Sequence, residues 1–389
     1  MKRLLIVHLA GDFRAAWALR EHQGVEAYYG HSYILDQLGR LAAEHGAAGY
    51  LSCLAPPYHE TLPNGATVMG AGARPDLYPG KVIACIRAFA PTHLIVHGPM
   101  PGILRWGLRQ GLPTACLFAD SFKMHPVERW LRHRGLTPLL NRPEIAFVGN
   151  HGINAARGLV EMGVHADKVI AWDYPHVLTP AAFAPKPGLA AGARLNLLYV
   201  GTTHRTKGTG DLIEAVARLA PHRDLHLTII GEGKSFAAHV ARLGITDRIT
   251  FAGRVPNREI PARMHAADAV VIPSRHAYPE GLPLTLYEAL ASRTPVIASD
   301  HPMFAGHLVD GETGLVFRAG DPDALAAAIA RLADDPGLYA RVSTGAARAW
   351  KGMQLDTKWG DLIGHWLAGA PEDRAWLAAR TMPATMAAT

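Results

Sequence analysis

Three cysteines in 389 residues, Cys53, Cys85 and Cys116, are too few and too irregularly spaced to form a disulfide framework. Each lies in an apolar run, and an unpaired set of this kind fits a reducing compartment. Long hydrophobic runs are also lacking: nothing approaches the ~20 apolar residues that a membrane span requires. The opening MKRLLIVHLAGDF has two basic residues and a short apolar run. No small-residue cleavage site follows and Asp12 interrupts it, so it reads as a first buried strand, not an export signal. A soluble, cytoplasmic protein is expected. Charged residues are sparse, 19% against 49% hydrophobic, which excludes a disordered chain. Cys/His clusters are absent too, so no metal and no cofactor are expected. His93 and His97 are four apart, but on a strand, where that spacing does not converge on an ion.

What is present is positive charge: a formal net charge of +6 and a pI of about 9.3. Acidic partners are favoured, namely phosphates, nucleotides and anionic lipid. Nucleic acid is not expected, because that would need basic residues interleaved with aromatics along a longer segment. The nearest approach is the short run Arg129-Trp130-Leu131-Arg132-His133-Arg134. It reads first as a solvated helix face. Its second reading is peripheral contact with an anionic membrane at the inner face, or with a phosphorylated acceptor.

Short apolar runs alternate with amphipathic, helix-length segments from end to end. Residues 3–10, 49–55, 93–98, 113–118, 145–150 and 168–172 read as strands buried on both faces, with helical periodicity over 31–46 and 151–163. Periodicity stops over the proline-rich stretch 174–194 and resumes with strands at 195–201, 225–231, 249–253, 269–274, 294–300 and 314–317. The expected fold class is α/β, with two Rossmann-like, doubly wound parallel-sheet domains facing across a cleft. The boundaries read as 1–175 for the first domain, 176–194 for a hinge linker and 195–350 for the second domain. Residues 351–389 read as helices returning to the first.

Within PEGLPLTLYEALASRTPV (279–296), Glu280 lies on a Gly/Pro loop and Glu288 inside a short helix. Pro283 fits the first helical position. Leu286, Ala289 and Leu290 share the face that packs on the sheet. Both carboxylates border the carboxyl end of a strand, where such sheets bind ligands. The N–H groups around Gly281, Leu282, Leu284 and Thr285 would offer a seat for phosphate. Carboxylates accept hydrogen bonds from neighbouring hydroxyls, as a sugar or ribose supplies them. The plainer reading is a loop glutamate and an exposed helix glutamate.

The whole phrase resembles the signature of the retaining glycosyltransferases of family 4, which have the GT-B fold. Supporting matches are YVGTTHRTKG (199–208), IIGEG (229–233), ITFAGRV (249–255), DGETGLVF (310–317) and DPDALAAAIARLADDP (321–336). The likeness is close and in order over about 195–345. In the first domain it is mainly architectural. It implies transfer of a hexose from a nucleotide-diphosphate sugar to a glycan, lipid-linked or small-molecule acceptor, without a metal. On the matched positions, Glu280 would hold the transferred sugar and Glu288 the ribose. Lys207 and Arg205 would neutralise the departing diphosphate. Gly231 would line the glycine turn, and Arg254 and Val255 the base pocket.

The chain departs from the family pattern twice. Thr202 follows Gly201 where an arginine is common, and Ala119-Asp120 stands where the family often has His-Asp. These departures favour a second reading, a non-catalytic sugar-nucleotide-binding or scaffold subunit of a glycan synthase complex. The lone Gly231-Glu232-Gly233 lacks the third glycine of a dinucleotide fingerprint, which excludes a plain dehydrogenase. Asp321-Pro322-Asp323 reads as a helix N-cap followed by proline, not as a metal motif. Residues 11–32 read as a long loop after the first strand, and Asp12, Arg14 and Tyr29 are its candidate acceptor contacts, against a self-packed loop. His97 and Asp120 complete the acceptor-side candidates. Closure about the linker would exclude water from the reaction.

Overall fold

The computed structural model describes residues 1–389 except 24–25, 27–29, 123–133, 190–191 and 388–389. Tyr29 and most of the basic run at 129–134 therefore lie outside the described residues. The chain divides into two compact units, Met1–Pro175 with Leu355–Thr389, and His176–Gln354.

The first unit holds an eight-stranded sheet. Its strands are β1 (Lys2–His8), β2 (Gly46–Ser52), β3 (Tyr58–Thr61), β4 (Thr67–Gly70), β5 (His93–His97), β6 (Thr114–Phe118), β7 (Ile145–His151) and β8 (Val169–Trp172). They are ordered β3-β4-β2-β1-β5-β6-β7-β8, and every neighbouring pair is parallel except β3–β4. Leu4, Leu5, Ile6 and Val7 of β1 are all at most 1% exposed. Covering both faces of a strand with helices demands such a run, and each side chain contributes about 2 kcal/mol of burial.

The second unit holds β9 (Leu195–Val200), β10 (Leu225–Ile230), β11 (Ile249–Gly253), β12 (Ala269–Ile272), β13 (Val296–Ser299) and β14 (Leu315–Phe317). Their order is β11-β10-β9-β12-β13-β14, with every neighbouring pair parallel. The chain reverses its direction of winding beside β9. The helix Pro322–Asp334 starts where Asp321 Oδ1 accepts the N–H groups of Asp323 and Ala324, both at 3.0 Å.

Leu355–Thr389 closes on the first unit. Asp173 N–H donates to Thr357 O and Trp359 N–H to Asp173 O, both at 3.0 Å, and the Trp359 side chain is fully buried.

The structure adds to or departs from the sequence reading at four places. Residues 11–32 are not one long loop, because Phe13–Gln23 is helical. The alanine-rich FRAAWALREHQ has good helix formers, and Asp12 starts it: its Oδ1 accepts Ala15 N–H at 3.0 Å and its carbonyl accepts Ala16 N–H at 2.9 Å. Asp12 is thus a capping residue. The described part of the proline-rich 176–194 packs on the second unit. His176 stacks on Tyr287 with ring centroids 3.7 Å apart, Lys186 N–H donates to Ser343 Oγ at 2.7 Å, and Arg293 Nε donates to Pro180 O at 3.1 Å. Proline spares backbone donors that this irregular path could not pair. The hairpin β3–β4 was not expected at all. Its strands have four residues each and β3 is largely exposed, so no apolar run marks it, although Asn64-Gly65 is a hairpin turn signal. Pro283, finally, is the N-cap and not the first helical residue, because its ψ of 126° is extended and the helix runs Leu284–Ala291.

The capping role of Asp12 predicts a stability effect. Asp12→Ala lowers stability by about 1 kcal/mol in urea unfolding, and Asp12→Asn recovers most of it. Unchanged stability in Asp12→Ala contradicts the cap.

Candidate functional site

The carboxyl ends of β9 and β12 are adjacent in the second sheet, and the loops leaving them meet. After β9 the chain runs through Gly201–Gly208 into the helix Thr209–Leu219. Gly208 has φ +73°, and a Cβ there would lie 1.9 Å from Pro273 O in the loop after β12. Only glycine lets the two loops approach this closely. Arg275 reinforces the junction: its N–H donates to Thr206 O at 2.8 Å, and its Nε donates to Asp211 Oδ2 at 2.7 Å.

This junction brings together two residues 73 positions apart. Lys207 Nζ donates to Glu280 Oε1 at 2.6 Å. The side chains are 16% and 6% exposed, so the pair is largely screened from water and the lysine is its more open side. Ser274 Oγ donates to the same Oε1 at 2.5 Å, and Ser299 Oγ donates to Ser274 O at 2.6 Å. Lys207 Nζ also sits 4.3 Å above the centroid of the Tyr278 ring. A carboxylate has about four acceptor sites. Among the described residues the hydrogen bonds from Lys207 and Ser274 both fall on Oε1, which leaves Oε2 for a ligand's hydroxyl. A half-shielded lysine held this way is a preorganised cation for an anion that enters the loop.

Around the pair, Gly231 has φ +133° and its Cβ would lie 2.0 Å from Gly201 O, so the glycine turn after β10 touches the loop after β9 backbone to backbone. Gly231 N–H donates to Gly253 O at 2.8 Å. Arg254 is exposed on the rim after β11 and pairs with Glu232 at 2.8 Å, and Val255 beside it is half-buried. Arg205 is exposed, and no ion pair is recorded for it among the described residues. At the start of the helix Leu284–Ala291, Leu282 and Leu284 are buried while Gly281, Pro283 and Thr285 are half-buried. Thr285 Oγ1 donates to Val200 O at 3.4 Å, tying this helix to β9. Leu286, Ala289 and Leu290 are fully buried on the sheet, and Glu288 is half-buried.

Sequence reasoning missed Ser274, Tyr278, Ser299 and His301. All four follow the carboxyl ends of β12 and β13, or end them, and this position was the available signal.

The acceptor-side candidates belong to the first unit. Arg14 lies over the Tyr58 ring at 4.2 Å, and Asp120 follows β6, half-buried, its carboxyl pushed up to about 6 by burial. His97 ends β5 and is 4% exposed. Its ring lies 4.5 Å from that of His8 and 6.3 Å from that of Trp172. Nδ1 of neither His8 nor His97 has a hydrogen-bond partner among the described residues. Burial lowers both: His8 to about 4, and His97 well below its usual value, with His8 and His151 adding repulsion. His151 nearby is stacked on Trp172 and bonded to Asp173 Oδ1 at 3.0 Å. Among the described residues no group of three or more His, Cys, Asp or Glu could hold a metal ion.

Residues 184–349 match the family model described as Glycosyl transferases group 1. A lipopolysaccharide core biosynthesis mannosyltransferase of Rhizobium leguminosarum bv. viciae is 39% identical over 148 residues, covering 36% of this chain and 40% of that protein. The chain spans about two fifths of the length of several curated relatives it matches. Among solved structures, a sucrose-phosphate synthase from Thermosynechococcus elongatus superposes with a TM-score of 0.71 at 18% identity, over 95% of this chain and 100% of that one. The Anabaena protein HepE, solved in complex with UDP-glucose, gives 0.68 at 16% identity over 96% and 100%. Two parallel-sheet α/β domains with these neighbours make the fold GT-B.

Two predictions follow from this geometry. Gly208→Ala lowers the stability of the second unit by about 3 kcal/mol in urea unfolding, because a methyl group would overlap Pro273 O. A wild-type midpoint contradicts the close approach. In acid, the folded pKa values of His8 and His97 lie below the unfolded value near 6.5, so the unfolded chain binds more protons as pH falls from 6.5 towards 4. Stability contributed by the two neutral rings is therefore present above pH 6.5 and lost below it. Asp120 acts with opposite sign, its raised pKa letting the folded state take up a proton first. His97→Gln, neutral at every pH, has a shallower fall of the urea midpoint between pH 6.5 and 4 than wild type, whereas equal slopes contradict a neutral His97.

Proposed function

We propose that the protein is a glycosyltransferase that moves a hexose from a nucleoside-diphosphate sugar to a hydroxyl of a glycan, lipid-linked or small-molecule acceptor. On this reading it works without a metal or cofactor and retains the sugar's configuration. The observation that carries the reading is the shielded Lys207–Glu280 pair at the junction of two strand ends. Its carboxylate is anchored through one oxygen, and its lysine faces the loop where a diphosphate would bind.

In the proposed reaction the donor's diphosphate enters beside Gly201–Gly208 and takes Lys207 as a partner. Arg205 supplies the second charge from its exposed position. Backbone N–H groups at the starts of the helices Thr209–Leu219 and Leu284–Ala291 add partial positive charge. Glu280, released from Lys207, accepts hydroxyls of the sugar, and Glu288 accepts those of the ribose. Arg254 and Val255 border the base. As the bond between the anomeric carbon and the phosphate oxygen breaks, negative charge grows on that oxygen and Lys207 stabilises it where it develops. One such donor is worth about 3 kcal/mol in the barrier. The acceptor oxygen bonds to the anomeric carbon on the same face while its proton passes to the departing phosphate. No protein base is required. The resemblance to family 4 supports this same-face route over a double displacement through a carboxylate ester.

The test is a thermal-shift screen of UDP-, GDP- and ADP-sugars, in which one donor class raises the melting temperature by mass action. With that donor, purified protein hydrolyses the sugar phosphate bond slowly, and Lys207→Ala lowers the rate 10²–10³-fold, the order expected for one oxyanion donor. The anomer formed by transfer, read by NMR, matches that of the donor. If no donor shifts the melting temperature, the reading fails. Donor binding without hydrolysis or transfer favours the non-catalytic subunit, and an inverted product overturns the same-face route.

A further inference from the structure

Beyond the pair itself, the loop that carries Glu280 is tied down from a neighbouring strand. β13 ends at Ser299, and Ser299 Oγ reaches Ser274 O, where the Glu280 loop begins. Two residues on, His301 is 1% exposed and reaches the other end of the same loop. Its Nδ1 accepts Met303 N–H at 3.2 Å, which puts the imidazole proton on Nε2. Nε2–H then donates to Tyr278 O at 3.1 Å. That same carbonyl accepts Glu280 N–H at 2.8 Å, closing a three-residue turn. Residues 274–280 are thus stapled at both ends by side chains of one adjacent segment.

We propose that His301 is a positioning residue, whose neutral imidazole fixes the Tyr278–Glu280 turn and so aims Glu280 at the transferred sugar. The inference rests on the reading of Glu280 given above and adds a residue to it. Burial is consistent with a neutral ring: it lowers the pKa of His301, while Glu280 and the Tyr278 carbonyl oppose that shift and His276 and Lys207 add to it. The ring also packs on Phe304, with centroids 5.2 Å apart, so a purely space-filling role is the alternative to be separated. A leucine keeps the packing and removes the hydrogen bond. A glutamine keeps a donor near the position of Nε2.

The experiment compares wild type, His301→Leu and His301→Gln in three measurements: binding of UDP, GDP and ADP by calorimetry, steady-state hydrolysis of the matching nucleotide sugar, and hydrogen exchange at the Glu280 amide. A bare nucleoside diphosphate has no sugar for Glu280 to hold. The expected result for His301→Leu is therefore an unchanged Kd for the preferred nucleotide and a kcat about 100-fold lower, the order that a displacement near 1 Å produces. The Glu280 amide exchanges faster in His301→Leu, and His301→Gln restores both kcat and protection. Wild-type kcat in His301→Leu, or equal losses in the leucine and glutamine variants, overturns the proposal. If wild type binds none of the three nucleotides, the transferase reading fails. Hydrogen exchange then decides the clamp alone: unchanged protection in His301→Leu refutes it, and faster exchange rescued by glutamine upholds it.

Discussion

One ion pair organises the second unit. Lys207 and Glu280 come from loops after different strands, and each would be costly to bury alone. The neutralisation that lets them share a shielded corner also sets the loops around them. Gly208 permits the contact, Arg275 and Asp211 brace it, and Ser274 fixes which carboxylate oxygen stays available. A pair of this kind stabilises little compared with an apolar contact of the same volume. Its place at the end of a sheet filled with Val, Ile and Leu supports the proposed use. On the proposed reading, the lysine exchanges one anion for another when donor enters, and the glutamate exchanges a cation for sugar hydroxyls.

The first unit puts different chemistry at its strand ends. His8, His97 and His151 terminate β1, β5 and β7, the first two sharing a ring contact and the third held by Asp173. Burial at this packing keeps His8 and His97 as neutral imidazoles, donors and acceptors of hydrogen bonds and not counter-ions for phosphate. On the proposed reading, the anion is met in the second unit, where lysine and arginine stand on the loops after β9 and β11.

The fold was largely legible because strands buried on both faces read as continuous apolar runs, and fourteen strands in two sheets left twelve such runs. The pair β3–β4 left none, being short and exposed on one edge. The helix Phe13–Gln23 reads as a loop because only its alanines and the Asp12 cap mark it, and both are weak local signals. The site was legible in a different way. No physical pattern in the sequence links Lys207 to Glu280 across 73 residues, and the resemblance to family 4 alone named them together. Ser274 and His301 act through hydrogen bonds between neighbouring strands, and sheet order is not written in the sequence. They became visible only when β12 and β13 were seen side by side.

The measurement that bears most directly on this account is the distance between Lys207 Nζ and Glu280 Oε1 in a crystal of the protein with its preferred nucleotide sugar. The account predicts that the 2.6 Å contact opens, with Nζ against a phosphate oxygen and the carboxylate against the sugar. A closed pair, with the nucleotide bound elsewhere on the chain, would contradict it.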